Sequence, residues 1–370
     1  MTIAVHIAFP EIQNDLSTNF NFNCFTILAE NYPGNHYIYI FDKPYNPALI
    51  TQKNITPVLA GPQIKNRLLQ YYFYNFKVPR LLNKYNVDFF VSAEVCSMRT
   101  NIAQCLIIKD LSFLKNNNLY TGTDARYLKK HITHFVKRSA KIAVLNPSLK
   151  TVLVKTYGID EHKISSINIG IDDDVKAYTY NEAEQVRNKF TDGKAYFLFF
   201  ATPSSIENII TMLKAFSIFK KWQKSNMQLV VLFSSGEKNT IRDFSNYKYK
   251  ADVKILHSIS MEMNRELIAS AYAALQLPSV EIAEMEGSTA LASEVPLITI
   301  NNDFCKSIYG DTVLYTAAEE KEIAEKMMLL YKDENARHDM IQKGKAITSG
   351  QTWQLAAESL LHLIQPLTAV

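Results

Sequence analysis

The sequence predicts an α/β fold with two doubly wound domains, each built around a parallel β-sheet. Short apolar runs alternate with longer amphipathic segments along the whole chain. The runs are rich in β-branched and aromatic residues, which is typical of strands that are buried on both faces of a parallel sheet. The chain has 370 residues, of which 47% are hydrophobic. This length suits two domains of roughly 150–190 residues each.

Ten apolar runs of about 5–7 residues are expected to form the strands. In the first half of the chain they are IAVHIAF, HYIYIF, VDFFVS, QCLIIK and KIAVLN. In the second half they are AYFLFF, MQLVVLF, DVKILH, AALQLPS and PLITIN. Because each run is followed by a longer segment with helical periodicity, the sequence predicts repeated strand–helix–strand units.

The segment ENIITMLKAFSIFKKWQKS shows the helical pattern most clearly. Its apolar side chains fall on one stripe and its lysines on the other, and the stripe consists of Ile209, Met212, Leu213, Phe216 and Phe219. The segment KEIAEKMMLLYKDENARHDMIQKGKAI repeats the pattern near the end of the chain. Both segments are predicted to be helices that cover a sheet.

The domain boundary is predicted from residues 172–194, DDDVKAYTYNEAEQVRNKFTDGK, which lack a strand and begin with three acids. We expect an N-terminal domain over 1–171, a linker over 172–192 and a C-terminal domain over 193–350. The closing segment 351–370 is expected to form a helix that crosses back to the first domain. Two such domains would face each other across a cleft, with ligands at the carboxyl ends of the strands.

Charge and cysteine spacing limit the function classes. A net charge of +4 is modest for this length and does not imply a nucleic-acid partner. No apolar stretch of about 20 residues is present, and MTIAVHIAFP has no basic region before its apolar run, so it is expected to form a strand and not a signal peptide. The cysteines lie far apart without metal-ligand spacing, which predicts free buried thiols, no metal and a cytoplasmic protein; they are Cys24, Cys96, Cys105 and Cys305.

Several ordered segments resemble one family, the retaining GT-B glycosyltransferases of glycosyltransferase family 4, also called group 1. The segments are KDLSFLKNNNLY (109–120), 126–172, FATPSSIENIITMLKAFSIFKK (200–221), 259–301 and 310–344. The resemblance covers about residues 85–365 and implies two Rossmann-like domains, a nucleotide-sugar donor, retention of configuration and no cofactor. The family's glycine-rich loop after the first strand is absent, since PEIQNDLSTNF has no glycine.

The resemblance implies three catalytic residues. Glu281 falls on the family's first donor-domain carboxylate, which lies near the reacting sugar. The family's His-Asp-Leu, whose histidine reaches the donor sugar from the other domain, is present here as Lys109-Asp110-Leu111. Lys109 and Asp110 are therefore expected to face the sugar together with Glu281.

The resemblance also implies the donor-binding residues. Ser148 and the turn at Gly170 would line the diphosphate side. The family's Gly-Arg-x-x-x-x-Lys-Asn signature, which supplies two cations to the diphosphate, falls on Thr202 for the arginine, Glu207 for the lysine and Asn208 for the asparagine. Both cations are thus replaced.

The segment after AALQLPS departs from the family in the same way. The two glycines that would let backbone amides approach the diphosphate fall on Ile282 and Glu284, and the carboxylate that holds the ribose falls on Thr289. A like charge at about 5 Å, with an effective dielectric near 20, costs roughly 3 kcal/mol. Glu207 and Glu284 would therefore weaken ordinary nucleotide-sugar binding about a hundredfold each. The donor site is predicted to be degenerate.

The acids in VEIAEMEGSTALASEVP have two interpretations. In one, Glu281 is catalytic, Glu284 and Glu286 occupy the turn that would hold phosphate, and Glu294 ends a helix. In the other, all four are solvated surface charges, which is common where a strand turns into a helix.

Two basic segments also have two interpretations. Residues 64–85, IKNRLLQYYFYNFKVPRLLNKY, would dock on an anionic membrane or hold a lipid-linked acceptor, or would form a helix packed on the sheet. Pro79, near the middle of this segment, argues against one continuous membrane-binding helix. Residues 126–141 carry six cations and two histidines, and they suit a phosphate-binding or membrane-facing role or a solvated helix face.

Two functions follow from the sequence. The first is a glycosyltransferase that moves a sugar from a nucleotide-sugar donor to a glycan or lipid-linked acceptor, in the cytoplasm or at the inner membrane surface. The second is a degenerate relative that has lost chemistry and binds or regulates an active glycosyltransferase. The sequence favours the enzyme because most chains with this pattern are enzymes.

Overall fold

The computed structural model describes residues 1–8, 19–93, 95–114, 122–201, 206–233, 246–257, 259–278 and 285–365. The contacts divide the chain into two compact units. Unit 1 comprises Met1–Gly170 and Thr352–Val370, and unit 2 comprises Ile171–Gln351.

Unit 1 is built around a seven-stranded parallel sheet with the strand order β3-β2-β1-β4-β5-β6-β7. Its strands are β1 Thr2–Ile7, β2 His36–Phe41, β3 Ile55–Leu59, β4 Phe89–Ala93, β5 Ala103–Ile108, β6 Lys141–Val144 and β7 Ile164–Ser166. Its helices are α1 Phe20–Asn31, α2 Arg67–Tyr72, α3 Val78–Lys84, α4 Gly122–Arg138, α5 Pro147–Tyr157 and, at the end of the chain, α13 Trp353–Ile364.

Unit 2 contains a six-stranded parallel sheet with the order β10-β9-β8-β11-β12-β13. Its strands are β8 Tyr196–Ala201, β9 Gln228–Phe233, β10 Val253–His257, β11 Ala273–Gln276, β12 Leu297–Ile300 and β13 Leu314–Thr316. Its helices are α6 Tyr180–Thr191, α7 Ile206–Gln223, α8 Met261–Ala269, α9 Glu286–Ala292, α10 Asp303–Tyr309, α11 Glu320–Lys332 and α12 Glu334–Thr348.

The predicted fold class, two doubly wound domains of parallel sheet, is confirmed. Counted within its own unit, each sheet begins with the order 3-2-1-4-5-6, which is the order of the dinucleotide-binding fold. All ten apolar runs form strands. The three strands that the sequence does not predict, β3, β7 and β13, all lie at sheet edges.

Both faces of the sheets are covered, as the apolar runs require. In β2, Ile38 and Ile40 join the core under α3, whereas the alternate residues Tyr37 and Tyr39 face α1. This alternation follows from the two-residue period of a strand. The stripe expected on α7 is buried: Ile209, Met212, Phe216 and Phe219 lie in the core of unit 2.

The chain passes between the units at two neighbouring positions. Residues 172–192, for which we expect a linker, lie in unit 2 and include α6, which begins with a capping box formed by Thr179 and Glu182. The first acids of this segment are held by α8, because Arg265 pairs with Asp172 at 3.3 Å and with Asp174. The closing helix α13 packs on α1 in unit 1.

Residues 67–84 are helical throughout, although Pro79 argues for a break. A π-helical turn, Phe73–Lys77, joins α2 to α3, and Pro79 lies at the start of α3. The segment is therefore not one continuous α-helix, and whether it binds a membrane stays a prediction.

Candidate functional site

The point at which the strand order reverses lies between β8 and β11 in unit 2. The two strands are parallel neighbours, with Phe200 opposite Gln276, and both end there. In an open α/β sheet, ligands bind at the carboxyl ends of the strands on either side of this point. The expected donor-binding residues of unit 2 belong to the segments that follow these two strands.

Asn208 joins the two segments. It lies in the first turn of α7, and its Nδ2 donates a 2.6 Å hydrogen bond to the carbonyl oxygen of Leu277, the residue after β11. The side chain thus fixes the start of α7 against the end of the neighbouring strand. This contact gives Asn208 a positioning function at the site.

Gly287 brings α9 into close contact with the end of β11. A Cβ atom at this position would lie 2.2 Å from Oη of Tyr309 and 2.6 Å from Oε1 of Gln276. Gln276 is buried and accepts a 3.3 Å hydrogen bond from the Tyr309 hydroxyl. Only glycine allows this approach, so Gly287, Gln276 and Tyr309 shape the floor of the candidate site.

The sequence reasoning missed these three residues. It placed the glycine positions of the turn on Ile282 and Glu284 and gave Gly287 no role. The available signal was that Gly287 is the only glycine between Gly236 and Gly310. Its partners could not be inferred, since they lie on another strand and another helix.

Glu286 and Thr289 lie on α9 beside this floor. Glu286 is partly buried, and burial raises the pKa of its carboxyl, partly opposed by a hydrogen bond from its own backbone amide. Glu286 is thus half-buried at the start of α9, and the two interpretations of its charge stay predictions. Thr289 is buried, at the position where the resemblance expects the ribose carboxylate.

Glu207 is exposed in the first turn of α7. An acid in this position is stabilised by the partial positive charge at the start of the helix, by about 0.3–1 kcal/mol. Thr202, Glu281 and Glu284 lie outside the described residues. The expectation that Glu207 and Glu284 both face the diphosphate position stays a prediction.

In unit 1, Lys109, Asp110 and Ser148 follow neighbouring strands. Lys109 and Asp110 come directly after β5, and Ser148 begins α5 after β6. The two segments meet where the Leu145 amide donates to the Ile108 carbonyl at 3.1 Å. The sheet therefore brings these three expected residues to one edge of unit 1.

The local hydrogen bonds define what these side chains do. Asp110 is buried, and its Oδ1 accepts hydrogen bonds from the amide of Ser112 at 2.8 Å and from the Ser112 hydroxyl. The hydroxyl of Ser148 donates to Oδ1 of Asn146 at 2.6 Å. Asp110 thus shapes the loop after β5, and Ser148 shapes the start of α5. The half-buried Lys109 contributes a cation at the same edge.

Gly170 has a packing function. A Cβ atom there would lie 2.4 Å from the backbone nitrogen of Trp353. Beside this contact, the Ile171 amide donates to the Gln351 carbonyl at 2.8 Å. The glycine lets the two connections between the units run side by side.

A polar cluster at the carboxyl ends of β1 and β2 was not predicted from the sequence either. His6 is 4% exposed, and its Nδ1 forms a 2.9 Å hydrogen bond with the Tyr74 hydroxyl, in which the tautomer of the ring decides which atom is the donor. Its Nε2 lies 4.0 Å from Oδ1 of the buried Asp42 and has no hydrogen-bond partner among the described residues. Burial lowers the pKa of His6 to about 4, against the opposing effect of Asp42, so the ring is neutral at pH 7.

In the part of the chain that the structure describes, no three His, Cys, Asp or Glu side chains are grouped so as to hold a metal ion. No helix of this part has the length and apolar character needed to cross a membrane. The four cysteines are free and buried, as the sequence predicts.

Comparison with known proteins gives one family model and a shared fold. Residues 181–347 match the family model of the glycosyl transferases group 1. A glycosyltransferase from Rickettsia africae ESF-5 is 13% identical with a TM-score of 0.71, covering 100% of this chain and 98% of that chain. WaaG, a glycosyltransferase involved in lipopolysaccharide biosynthesis, is 13% identical with a TM-score of 0.71, covering 99% and 100%. Anabaena Alr3699/HepE, solved with UDP and glucose, is 11% identical with a TM-score of 0.69, covering 100% of both chains.

The chain therefore has the GT-B fold, and its resemblance to the glycosyl transferases group 1 is confirmed for residues 181–347. A search of curated protein sequences finds no matching relative.

Proposed function

We propose that this protein is a glycosyltransferase that transfers a sugar from a nucleotide-sugar donor to a glycan or lipid-linked acceptor, with retention of configuration. The observation that carries the proposal is the arrangement after β8 and β11. There, Asn208 and Gly287 hold the starts of α7 and α9 against the end of β11, at the position where the strand order reverses.

The neighbours support the donor class. Anabaena Alr3699/HepE, which shares the fold of this chain, was solved with UDP and with UDP-glucose. A nucleotide sugar would bind this chain at the carboxyl ends of β8 and β11. Glu281 would stabilise or orient the reacting sugar. Lys109 and Asp110 would serve the same sugar from unit 1, and Lys109 would supply a positive charge for the phosphates.

A second candidate is a protein that has lost transfer chemistry and binds an active glycosyltransferase, and two observations favour it. Thr289 is buried where a ribose-binding carboxylate is expected, and Thr202 and Glu207 replace two cations.

Donor turnover decides between the two candidates. A panel of nucleotide sugars is incubated with the unmodified protein and with Glu281→Ala, and donor loss and the configuration at the anomeric carbon are followed by NMR. The enzyme predicts donor loss that the substitution abolishes. Binding is followed in parallel by thermal shift, where a ligand at 100 times its dissociation constant adds about 2.7 kcal/mol.

The matched variant restores the family's residues through Thr202→Arg, Glu207→Lys and Thr289→Glu. If the unmodified protein neither binds nor consumes any donor and the triple variant binds a nucleotide, the degenerate candidate is correct and the enzyme is excluded. Thr289→Glu alone reports whether the buried position accepts the larger side chain.

We also propose that unit 1 contacts an anionic membrane surface through the helical segment 67–84, where a lipid-linked acceptor would be met. One face of this segment is buried on the sheet through Phe73, Val78 and Leu82. Its other face leaves large apolar side chains exposed, among them Leu68 at 81%. Binding to phosphatidylglycerol vesicles tests this contact.

A further inference from the structure

Unit 1 has its own point at which the strand order reverses, between β1 and β4. The two strands are parallel neighbours, with Val5 opposite Val91, and both end shortly after this pair. In an open α/β sheet, the carboxyl ends of strands at such a point are where ligands bind. His6 is the next-to-last residue of β1, so it lies at this point, and the proposed reaction has not yet given it a role.

The side chains of His6 and Asp42 lie on the same face of the sheet. Ala4 belongs to the core under α3, and His6 follows it by two residues in β1, so both face the same way. Ile40 belongs to the same core, and Asp42 follows it by two residues at the end of β2. The two side chains meet there, with Nε2 of His6 4.0 Å from Oδ1 of Asp42.

Each of the two side chains is fixed through one polar atom. Nδ1 of His6 is hydrogen-bonded to the Tyr74 hydroxyl at 2.9 Å, and Oδ2 of Asp42 accepts from the Ile64 amide at 3.1 Å. Among the described residues, neither Nε2 of His6 nor Oδ1 of Asp42 has a hydrogen-bond partner. The 4.0 Å between these two atoms is too long for a hydrogen bond. A buried donor or acceptor without a partner is costly, so the pair is suited to a ligand that satisfies both.

The π-helical turn Phe73–Lys77 positions Tyr74. Such turns are rare and are frequent at functional sites. The turn is tied to the sheet at two points, because the next side chain, Asn75, accepts a 3.0 Å hydrogen bond from the Met98 amide. The ring of Phe73 also contacts the His6 ring, with centroids 5.1 Å apart. The imidazole of His6 is therefore held in one orientation.

The carboxylate of Asp42 determines which nitrogen of His6 carries the hydrogen. A carboxylate only accepts hydrogen bonds, so the tautomer with the hydrogen on Nε2, facing Asp42, is favoured. Nδ1 then accepts from the Tyr74 hydroxyl. Burial lowers the pKa of His6 to about 4, so the ring has no charge at pH 7. The pair thus provides one neutral N–H donor and one carboxylate acceptor.

These two atoms match a single hydroxyl group. A hydroxyl oxygen about 2.8 Å from each atom would bridge the gap, accepting from Nε2 of His6 and donating to Oδ1 of Asp42. A phosphate or a carboxylate has no hydrogen to donate and would be repelled by the charge of Asp42. The two residues are only 4% and 6% exposed, so the pair admits one small group and the rest of the ligand would lie outside it.

We propose that His6 and Asp42 bind a hydroxyl group of an uncharged acceptor sugar, and that Tyr74 is a positioning residue for His6. The proposal rests on the proposed function and deepens it, because it gives the chemical class of the acceptor. Neighbouring strands lie about 4.8 Å apart, so β1 is about 10 Å from β5, which Lys109 and Asp110 follow. The hydroxyl bound by the pair therefore anchors the acceptor and is not the one that reacts.

The test is NMR of the full chain with isotope-labelled histidine, of which the chain has 8 residues. The signal that is missing from His6→Asn belongs to His6. Glycerol and neutral methyl hexosides at millimolar concentration should shift this signal until it saturates, whereas acetate and inorganic phosphate should not. Asp42→Asn should weaken hexoside binding about tenfold, because the charged acceptor is lost.

Tyr74→Phe tests how His6 is positioned. The substitution removes the hydroxyl that bonds to Nδ1, so part of the His6 population should carry its hydrogen on Nδ1, which the nitrogen chemical shifts report. Hexoside binding should weaken about threefold. A merely structural role of the Tyr74 hydroxyl would leave the tautomer unchanged.

Two matched controls lie at the amino ends of the strands of the same sheet. Asp88→Asn changes a carboxylate that accepts from the Thr2 amide at 2.7 Å, and His36→Asn removes an imidazole that is hydrogen-bonded to Thr56 at 2.9 Å. Neither substitution should change hexoside binding or the His6 signal. Circular dichroism verifies that each variant is folded.

The outcomes distinguish this proposal from the proposed function. If no hexoside and no glycerol shifts the His6 signal, the hydroxyl site is overturned, whether or not a nucleotide sugar binds. A shift that Asp42→Asn leaves at full affinity overturns the function of the pair, and a stronger response to phosphate or acetate overturns the uncharged ligand. Donor turnover and nucleotide binding are measured separately, so their absence would overturn the glycosyltransferase and not the sugar site.

Discussion

Glu294 adopts a backbone conformation that favours glycine, with φ of +60° just after α9. For a residue with a side chain this conformation costs about 1–2 kcal/mol. In compensation, its carboxylate accepts a 2.6 Å hydrogen bond from Lys345, but the pair is largely exposed and such pairs contribute little. The interpretation of Glu294 as a helix-end residue is confirmed. The conformational strain at this residue follows from its backbone angle and not from its sequence.

Glu294→Gly should therefore raise the free energy of unfolding by about 0.5–1 kcal/mol, measured by urea denaturation. Glu294→Ala is the control, since it loses the Lys345 pair without gaining freedom at φ. The alanine variant should be no more stable than the unmodified protein. Equal stabilisation by both substitutions would contradict the strain argument.

Gly170→Ala should destabilise the protein by about 1–3 kcal/mol or more, because its Cβ would overlap the Trp353 backbone at 2.4 Å. Gly350→Ala is the control, since a Cβ there meets nothing within 4 Å. Thermal unfolding of the two variants measures the difference. A similar melting temperature for both would show that Gly170 and Trp353 do not pack as described.

At the scale of elements, the central strands and the edge strand β10 could be predicted from the sequence, whereas the edge strands β3, β7 and β13 could not. The predicted runs are apolar because both of their faces are covered, as in β8, in which every residue is buried. Strands β3, β7 and β13 contain partly exposed residues, and β7 and β13 have only three residues each. Their short and mixed sequences give no periodic signal, and their position depends on pairing with a neighbour.

The candidate site was also predicted only in part. The resemblance to the family placed the donor-binding residues of unit 2 in the segments that follow β8 and β11, and ligands were expected at the carboxyl ends of the strands. It could not predict that Asn208 would bind the Leu277 carbonyl or that Gly287 would meet Tyr309, since the partners are far apart in sequence.

The contact between α7 and β11 gives a prediction about Asn208. Asn208→Asp replaces the donor with a charged oxygen beside the Leu277 carbonyl and should cost about 1–3 kcal/mol of stability. Asn302→Asp is the control, because Asn302 only accepts a hydrogen bond, from Cys305 at the start of α10, and aspartate does the same. Urea denaturation of both variants tests this, and equal effects would contradict the assignment of Nδ2 as donor.

For the whole molecule, the buried His6 predicts how stability depends on pH. Its pKa is about 4 in the folded protein against 6.5 for a free histidine. Above pH 6.5 the ring is neutral in both states. As pH falls from 6.5 towards 4, the unfolded chain binds a proton that the folded protein does not, so stability decreases by about 3 kcal/mol.

His6→Asn should remove this dependence, so the stability difference between the unmodified protein and the variant should shrink as pH falls from 7 to 4. His162→Asn, at an exposed histidine, is the control and should leave the pH profile unchanged. Urea denaturation at several pH values gives the comparison. If the free energies of unfolding of His6→Asn and of the unmodified protein change with pH in parallel, His6 is not held neutral.

Hydrogen exchange with and without nucleotide tests the central claim most directly, namely that this chain binds a nucleotide-sugar donor at the ends of β8 and β11. In the presence of the nucleoside diphosphate or nucleotide sugar that gives the largest thermal shift, the amides of residues 206–210 and 285–290 should exchange several-fold more slowly. The amides at the amino ends of β4, β5 and β6 should be unchanged. Protection confined to other segments, or none with any nucleotide at millimolar concentration, would contradict the account.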